Sequence, residues 1–378
     1  MRYVLALLAI FSLVGGLAAL WFLGYAVTLW GKLAALWSLV VALWPLVAYW
    51  GFRHKGAGWR WANRAMVVTI IGGVIAAIGA APAGTTPPQS PISQHFTSQR
   101  PFPRYTPTNI VPETEQINLG FLVTPFVDPL FTYDRAKRVA PFTLQLYQQM
   151  EADPNFQQLG SAMGWAYSDL LGLPFNVGHY YLYTPQNRGT GPLPAVVFLH
   201  GAFGNFKSYT WVWSKLAEQL GYVIISPSFG FGNWQRPEGA AAVQEVLADV
   251  QQDVLLDEAN IYLAGLSNGG LGVSRLANDN PDQFRGLIFI SPVMATVVTN
   301  SQFQQAWATR PVLVITGEAD ERIPLSYVND RVASLQAAGV AVSYFTYPNE
   351  DHFLFFSQAD VIVPQIGQWL TTVQEQQP

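Results

Sequence analysis

The sequence predicts an α/β fold preceded by three transmembrane helices: a mostly parallel, doubly wound sheet in the carboxyl-terminal half, tethered to a membrane at the amino-terminal end. Three observations predict it. Short apolar runs alternate with helical patterns from about residue 177 onward. Such uninterrupted apolar strands belong to sheets covered on both faces. Three long uncharged stretches occupy residues 1–81. Finally, the charges are segregated. The first 112 residues hold none of the 24 acidic residues and 8 of the 20 basic ones. The remainder is strongly acidic, so the two parts are suited to different solvents, and the acidic part excludes a basic nucleic-acid-binding surface. Only 12% of all residues are charged, about half the usual share of ~25%.

The first uncharged run is "YVLALLAIFSLVGGLAALWFLGYAVTLW", residues 3–30. After Gly31 and Lys32 comes "LAALWSLVVALWPLVAYW" (33–50), and "AMVVTIIGGVIAAIGAA" covers 65–81. A membrane helix needs about 20 such residues. The first run exceeds the 7–15 apolar residues of a signal peptide, and two more follow it. Trp21, Trp30, Trp37, Trp44, Trp50 and Trp61 lie in or beside these runs, and several suit interfacial belts. Segment 51–64 carries Arg53, Lys55, Arg60 and Arg64, against Lys32 alone in the first turn. Basic residues stay on the cytoplasmic side. The expectation is an inner amino terminus, an inner 51–64 loop, and everything after residue 81 outside the cytoplasmic membrane. The absence of cysteine is compatible with that compartment.

Residues 82–112 are rich in Pro, Ser and Thr without an apolar period, which predicts an extended linker. Residues 113–176 contain two stretches that read as short helices, expected to form an extension packed on the following domain. The catalytic domain is expected over 177–378. Its strands are predicted at 177–185, 194–201, 222–230, 260–267, 286–293, 311–318 and 342–348, with helices between and after them.

The segment "IYLAGLSNGGLG" (261–272) joins one of these strands to a helix. Side chains flanking so sharp a turn would collide with neighbouring elements. Gly265 and Gly269 remove them, and the hydroxyl of Ser267 is projected at the carboxyl end of the sheet. This is G-x-S-x-G in its strand–turn–helix context. A serine hydroxyl is a weak nucleophile and needs a base. Of the five histidines, His54 falls in the basic loop, His95 in the linker, and His179 in an early strand. His200 ends a strand in "HGAFGN" and is expected to hold that loop by hydrogen bonds. His352, in "NEDHFLF" after the last strand, is the base. Asp320, in "VITGEADERIP", is assigned as the acid that fixes the imidazole tautomer, with Glu318 and Glu321 as competitors.

The order Ser267, Asp320, His352 is that of the α/β-hydrolases. Residues 177–372 resemble that superfamily. "NIYLAGLSNGGLG", "FRGLIFISPV" and "VLVITGEADERIP" are similar to its dienelactone-hydrolase and esterase-type members. The resemblance implies an α/β-hydrolase fold and a serine hydrolase, but not a substrate. It also implies two oxyanion donors: the N–H of Asn268 and, from the loop after "VVFLHG", that of Ala202, with Phe203 next. The 17 residues between Val293 and Pro311 leave no room for a large cap. Phe203, Phe206, Phe229, Phe231 and Trp234 lie in loops at the active end, where an acyl pocket and ordinary packing are equally compatible. No P-loop, dinucleotide fingerprint or metal-spaced His/Cys cluster is visible, so no cofactor and no metal is expected. The activity expected is ester cleavage, on a small-molecule or lipid ester. A peptidase or acyltransferase on the same triad, and a non-catalytic membrane scaffold, are the alternatives.

Overall fold

The computed structural model describes residues 2–54, 56–85, 89–175, 177–186, 189 and 191–375. Lys55, residues 86–88, Asn176 and residues 376–378, all included in the expectations above, lie outside the described residues. Contacts divide the chain into two units: residues 1–82 with 104–124, and residues 83–103 with 125–378.

The first unit contains α1 (Arg2–Tyr25), α2 (Leu29–His54) and α3 (Ala57–Ala80). All three are long and apolar enough to cross a membrane. Their boundaries correct the reading from sequence. The first turn lies at residues 26–28, not at Gly31-Lys32. Thr28 makes it so: its hydroxyl accepts the Gly31 N–H at 2.9 Å and starts α2 as an N-terminal cap. The basic 51–64 segment is helical on both sides of a short connection, with Arg53 in the last turn of α2 and Arg60 and Arg64 early in α3. Small residues let the helices approach. A side chain on Gly15 would meet the Ala42 methyl at 3.1 Å. The Trp37 indole donates to Ile70 O at 3.1 Å, and that of Trp44 to Asn63 Oδ1 at 2.9 Å.

Residues 104–124 form α4 (Pro107–Ile110) and the greater part of α5 (Glu113–Val127). Their polar side chains terminate all three apolar helices at one end of the bundle. Asn118 donates to Tyr25 O at 2.9 Å, closing α1. Glu115 Oε1 accepts from Val27 N (3.0 Å), Thr28 N (2.6 Å) and the Thr28 hydroxyl (2.7 Å) at the start of α2. Arg104 Nε donates to Ala81 O at 2.9 Å just past α3. Carboxylate at a helix amino terminus and guanidinium at a carboxyl terminus both match the helix dipole. The segment expected to begin an extension on the catalytic domain thus groups with the apolar helices.

The second unit is built on one sheet of eight strands: β1 (Ile92–Phe96), β2 (His179–Tyr183), β3 (Leu193–Leu199), β4 (Val223–Pro227), β5 (Leu256–Leu266), β6 (Gly286–Ile290), β7 (Pro311–Gly317) and β8 (Ala341–Tyr347). The strand order is β1-β2-β4-β3-β5-β6-β7-β8. β2 runs antiparallel to β1 and β4, and β3 to β8 are parallel to one another. All seven strands expected from the sequence are present. β1 is the eighth, and it corrects the linker reading. Residues 92–96 pair with β2 from Ile92↔Tyr183 to Phe96↔His179. Five residues without strict alternation, enclosed by prolines and serines, carried too little pattern to be seen.

The remaining helices are α6 (Tyr133–Ala152) and α7 (Met163–Leu170) before the parallel sheet, α8 (Lys207–Leu220), α9 (Pro237–Asp253), α10 (Gly269–Asp279), α11 (Ser301–Trp307) and α12 (Leu325–Ala337) between strands, then α13 (Leu354–Ser357) and α14 (Ala359–Glu375). Covered on both faces, the central strands are apolar throughout: Val196–Leu199, Leu287–Ile290 and Val312–Ile315 are fully buried. This is the α/β-hydrolase fold, in which reactive groups gather at the carboxyl ends of the parallel strands.

Candidate active site

β5 ends at Leu266, and α10 begins at Gly269. Two residues must reverse the chain, and Ser267 adopts φ = +52°. A left-handed backbone at a non-glycine residue is strained and persists only where its surroundings hold it. Here Ser267 N donates to Ile290 O (3.0 Å), and Ser267 O accepts from Gly270 N (2.9 Å) and Val293 N (3.0 Å). The flanking glycines are required by space. A Cβ on Gly265 would lie 2.5 Å from Gly269 C, and one on Gly269 would lie 2.0 Å from Leu199 O. Gly270 is equally confined, with Val293 O 2.7 Å from such an atom.

The loop after β8 carries His352 to this turn. Its Nε2 is 2.9 Å from Ser267 Oγ, and its Nδ1 is 2.8 Å from Asp320 Oδ2. Carboxylate oxygen only accepts, so Nδ1 bears the proton and Nε2 accepts from the serine hydroxyl. Asp320 has no exposed side-chain surface. Its second oxygen accepts from Arg322 N (2.9 Å) and Ile323 N (2.8 Å). The loops bearing Asp320 and His352 are also joined directly, Ala319 N donating to Glu350 O at 2.9 Å. Gly317 permits this, since a Cβ there would lie 2.2 Å from Glu350 O. Both competitors point elsewhere. Glu318 accepts from the Thr346 hydroxyl at an exposed position, and Glu321 pairs with Arg135.

The loop after β3 passes against the serine: a Cβ on Gly201 would lie 3.2 Å from Ser267 Cβ. Phe203 (φ = +74°) and Gly204 (φ = +111°) then turn it away. His200 is fully buried beneath it. Its Nδ1 donates to Gly201 O at 2.7 Å, its Nε2 accepts from Phe229 N at 3.0 Å, and its carbonyl accepts from Trp234 Nε1 at 2.8 Å. Burial pulls this imidazole down to about 4, so it is neutral near pH 7. Ala202 follows in this loop, and Asn268 caps the start of α10. The two backbone positions expected as oxyanion donors therefore lie in the two segments that meet at Ser267.

Among the five loop aromatics, packing claims some and leaves others. Phe229 and Trp234 are in the core, and Phe206 stacks on Tyr209 at 5.1 Å. Phe203 is 41% exposed, with the Phe231 ring 5.0 Å away. Neither His95 nor His179 approaches the serine turn. His95 lies on β1 against Tyr180 (5.2 Å), and His179 is buried among Phe96, Trp165 and Tyr181 with its Nδ1 2.7 Å from Ser228 Oγ. Among the described residues no cluster of three or more His, Cys, Asp or Glu could hold a metal ion.

Other supports escaped the sequence reading. Asp169, at the end of α7, accepts from Phe231 N (2.9 Å) and from Arg236 Nη1 (2.7 Å). Asp128 pairs with Arg322, and Arg135 with Glu321 and Asp351. These contacts join residues more than 60 positions apart, and no local spacing announces them.

The second unit has the α/β-hydrolase fold. Residues 196–304 match the alpha/beta hydrolase family, and residues 297–370 match the prolyl oligopeptidase family. The chain is similar over 52% of its length to a thermostable esterase, at 23% identity and a TM-score of 0.40, spanning 56% of that protein. It is similar to Est1E from Butyrivibrio proteoclasticus at 16% identity over 52% of this chain and 95% of that one, with a TM-score of 0.43. It is also similar to a fluorophosphonate-binding serine hydrolase of Staphylococcus aureus, at 16% identity over 52% of this chain and 93% of that one, with a TM-score of 0.42.

Proposed function

We propose that the protein is a membrane-anchored serine hydrolase that cleaves carboxylic esters through Ser267, His352 and Asp320. The observation that carries this reading is the continuous hydrogen-bonded line from Asp320 Oδ2 through the His352 imidazole to Ser267 Oγ, with steps of 2.8 and 2.9 Å. As substrate carbonyl carbon meets Ser267 Oγ, the hydroxyl proton passes to His352 Nε2. Asp320 holds the ring in the accepting tautomer and stabilises the imidazolium. The carbonyl oxygen takes the negative charge and receives the N–H groups of Ala202 and Asn268. One such donor is worth about 10²–10³ in rate. The tetrahedral intermediate collapses, the C–O bond to the alcohol breaks, and Nε2 returns its proton to the leaving oxygen. Water repeats the cycle on the acyl-enzyme, releasing the acid and restoring the serine.

The distribution of charge along the bundle supports the orientation we read. Glu115, Asn118 and Arg104 gather at the end of the helices that bears the 26–28 turn, while Arg53, Arg60 and Arg64 flank the connection between α2 and α3. Basic residues favour the cytoplasm, so the chain leading to the hydrolase unit leaves the bundle on the extracytoplasmic side. A second reading, a peptidase on the same residues, is favoured by the prolyl oligopeptidase match over residues 297–370. Purified protein incubated with a fluorophosphonate probe, and then with p-nitrophenyl esters of rising chain length beside peptide amides, tests both. We expect stoichiometric labelling and a preference for esters. No labelling overturns the hydrolase mechanism, and faster amide turnover selects the peptidase.

A further inference from the structure

The acid and the base arrive on two separate loops, one after β7 and one after β8. Both loops must be held to a fraction of an ångström for the proton to move. The residues next in sequence to the acid and the base are themselves ionic: Glu321 and Arg322 follow Asp320, and Asp351 precedes His352. Each of the three finds its partner in one short segment, residues 128–135, which lies far upstream. Arg135, in the first turn of α6, is 5% exposed. Its Nη2 is 2.9 Å from Glu321 Oε2, and its Nε is 3.3 Å from Asp351 Oδ2. Its Nη1 donates to Leu130 O, which fixes the fork against its own chain. Asp128 pairs with Arg322, whose backbone N–H in turn holds Asp320. Phe131 packs on Phe353, beside the histidine, with rings 5.4 Å apart.

We infer that Arg135 is a positioning residue: a buried guanidinium that ties the acid loop to the histidine loop and sets the His352–Asp320 geometry. The inference rests on the serine hydrolase reading above. Its logic is that of a fork. One buried planar cation hydrogen-bonds Glu321 and lies within ion-pair distance of Asp351, so a single charge faces carboxylates on two loops at once; a lysine ammonium keeps the charge with less geometric definition. Glu321, largely exposed, contributes little by itself. Asp351 is the stronger anchor. Only 18% of its side chain is exposed, and its other oxygen accepts from Phe353 N at 2.9 Å. The cation thereby fixes the backbone on both sides of the base.

The test uses the full-length protein in detergent, with steady-state kinetics on a p-nitrophenyl ester and the rate of fluorophosphonate labelling, both corrected to the folded fraction. Arg135→Met is expected to lower kcat and the labelling rate by about 10–100-fold, since misplacement by 1 Å can cost 10², with KM within twofold. Arg135→Lys should recover part of the loss. Asp351→Asn should lower kcat in the same way, and adding it to Arg135→Met should lose little more. Should Arg135→Met fail to fold, Asp351→Asn and Arg135→Lys carry the test. A kcat within twofold of wild type in the folded variants, whatever happens to Tm, overturns the inference, as do fully additive losses. If wild-type protein itself does not label, the serine hydrolase reading fails instead, which distinguishes the two.

Discussion

His352 donates its Nδ1 proton to Asp320 across 2.8 Å, and the same carboxylate is gripped from behind by the N–H groups of Arg322 and Ile323. Asp320 is therefore oriented by backbone before it orients His352. Asp320→Asn should preserve the fold while presenting the ring with a group that favours the wrong tautomer, lowering kcat by about 10⁴. Glu318→Gln, altered at an exposed site where the side chain accepts from the Thr346 hydroxyl, should remain near wild type. Steady-state kinetics on both variants check this, and the opposite ranking makes Glu318 the acid.

Ser267→Ala and Gly269→Val should separate chemistry from architecture. Alanine fits the turn, so the protein should keep its Tm and lose fluorophosphonate labelling. Valine at 269 drives its Cβ into Leu199 O, which would be only 2.0 Å away. Overpacking costs about 1–3 kcal/mol, and here the obstacle is backbone. Both activity and Tm should fall. Labelling of Ser267→Ala at wild-type stoichiometry would mean that another residue is the nucleophile.

Stability should decline on mild acidification. Burial holds His200 at about 4, and burial together with the neighbouring His95 charge holds His179 at about 3, both below their ordinary 6.5. Between pH 6.5 and those values the unfolded chain binds protons that the folded chain refuses. Stability therefore rises with pH across this window and is fully present above it. Each histidine contributes at most about 1.4 kcal/mol per pH unit. Asp128 adds to the loss at lower pH. Desolvation pushes its carboxyl up, but the Arg322 hydrogen bond, the Leu130 N–H and the charges of Arg322 and Arg135 outweigh this and hold it below the ordinary value. Thermal unfolding from pH 7 to pH 4 should show a falling Tm, and His200→Asn should flatten the slope. A pH-independent Tm over that range contradicts the account.

Gly31 exists to admit Glu115, whose Oε1 would sit 2.3 Å from a Cβ at that position. Gly31→Val should expel the carboxylate and strip the acceptor from Val27 and Thr28. Leaving a buried donor unpaired costs about 1–3 kcal/mol. The expected result is a lower Tm in detergent, shared by Glu115→Ala and not further lowered in the double variant. Additive losses would mean that the two residues act independently.

The side of the membrane can be read with reporters. Alkaline phosphatase fused after residue 112 should be active, and a cytoplasmic reporter at the same point silent. A fusion within residues 51–64 should give the reverse. An inactive phosphatase at 112 inverts the orientation.

What the sequence disclosed, and what it withheld, follows from the range of the forces involved. Parallel strands buried on both faces are apolar at every position, so β3 to β7 were visible directly. The serine turn was visible because steric demands fall on neighbours in sequence, at Gly265 and Gly269. The order of Asp320 and His352 was legible because each closes a strand. The first helix boundary was misplaced because an uncharged run conceals a turn capped by Thr28 and by a carboxylate from residue 115. β1 reads as linker in the sequence because its strand character comes from pairing with β2. Arg135 and Asp128 were unreadable for the same reason: their meaning lies in loops nearly 200 positions away.

β1 also sets a schedule. It is the first strand made after the apolar helices, and its partner Leu182 lies 89 positions beyond Ser93. Synthesis at about 5–20 residues per second separates the two by roughly 4–18 s. For that interval β1 is a strand without a sheet, open to any passing chain. It is only five residues long, with Pro91 immediately before it, and short, proline-flanked strands are poor templates for mispairing. Its brevity, the property that concealed it in the sequence, is also what keeps it safe while it waits.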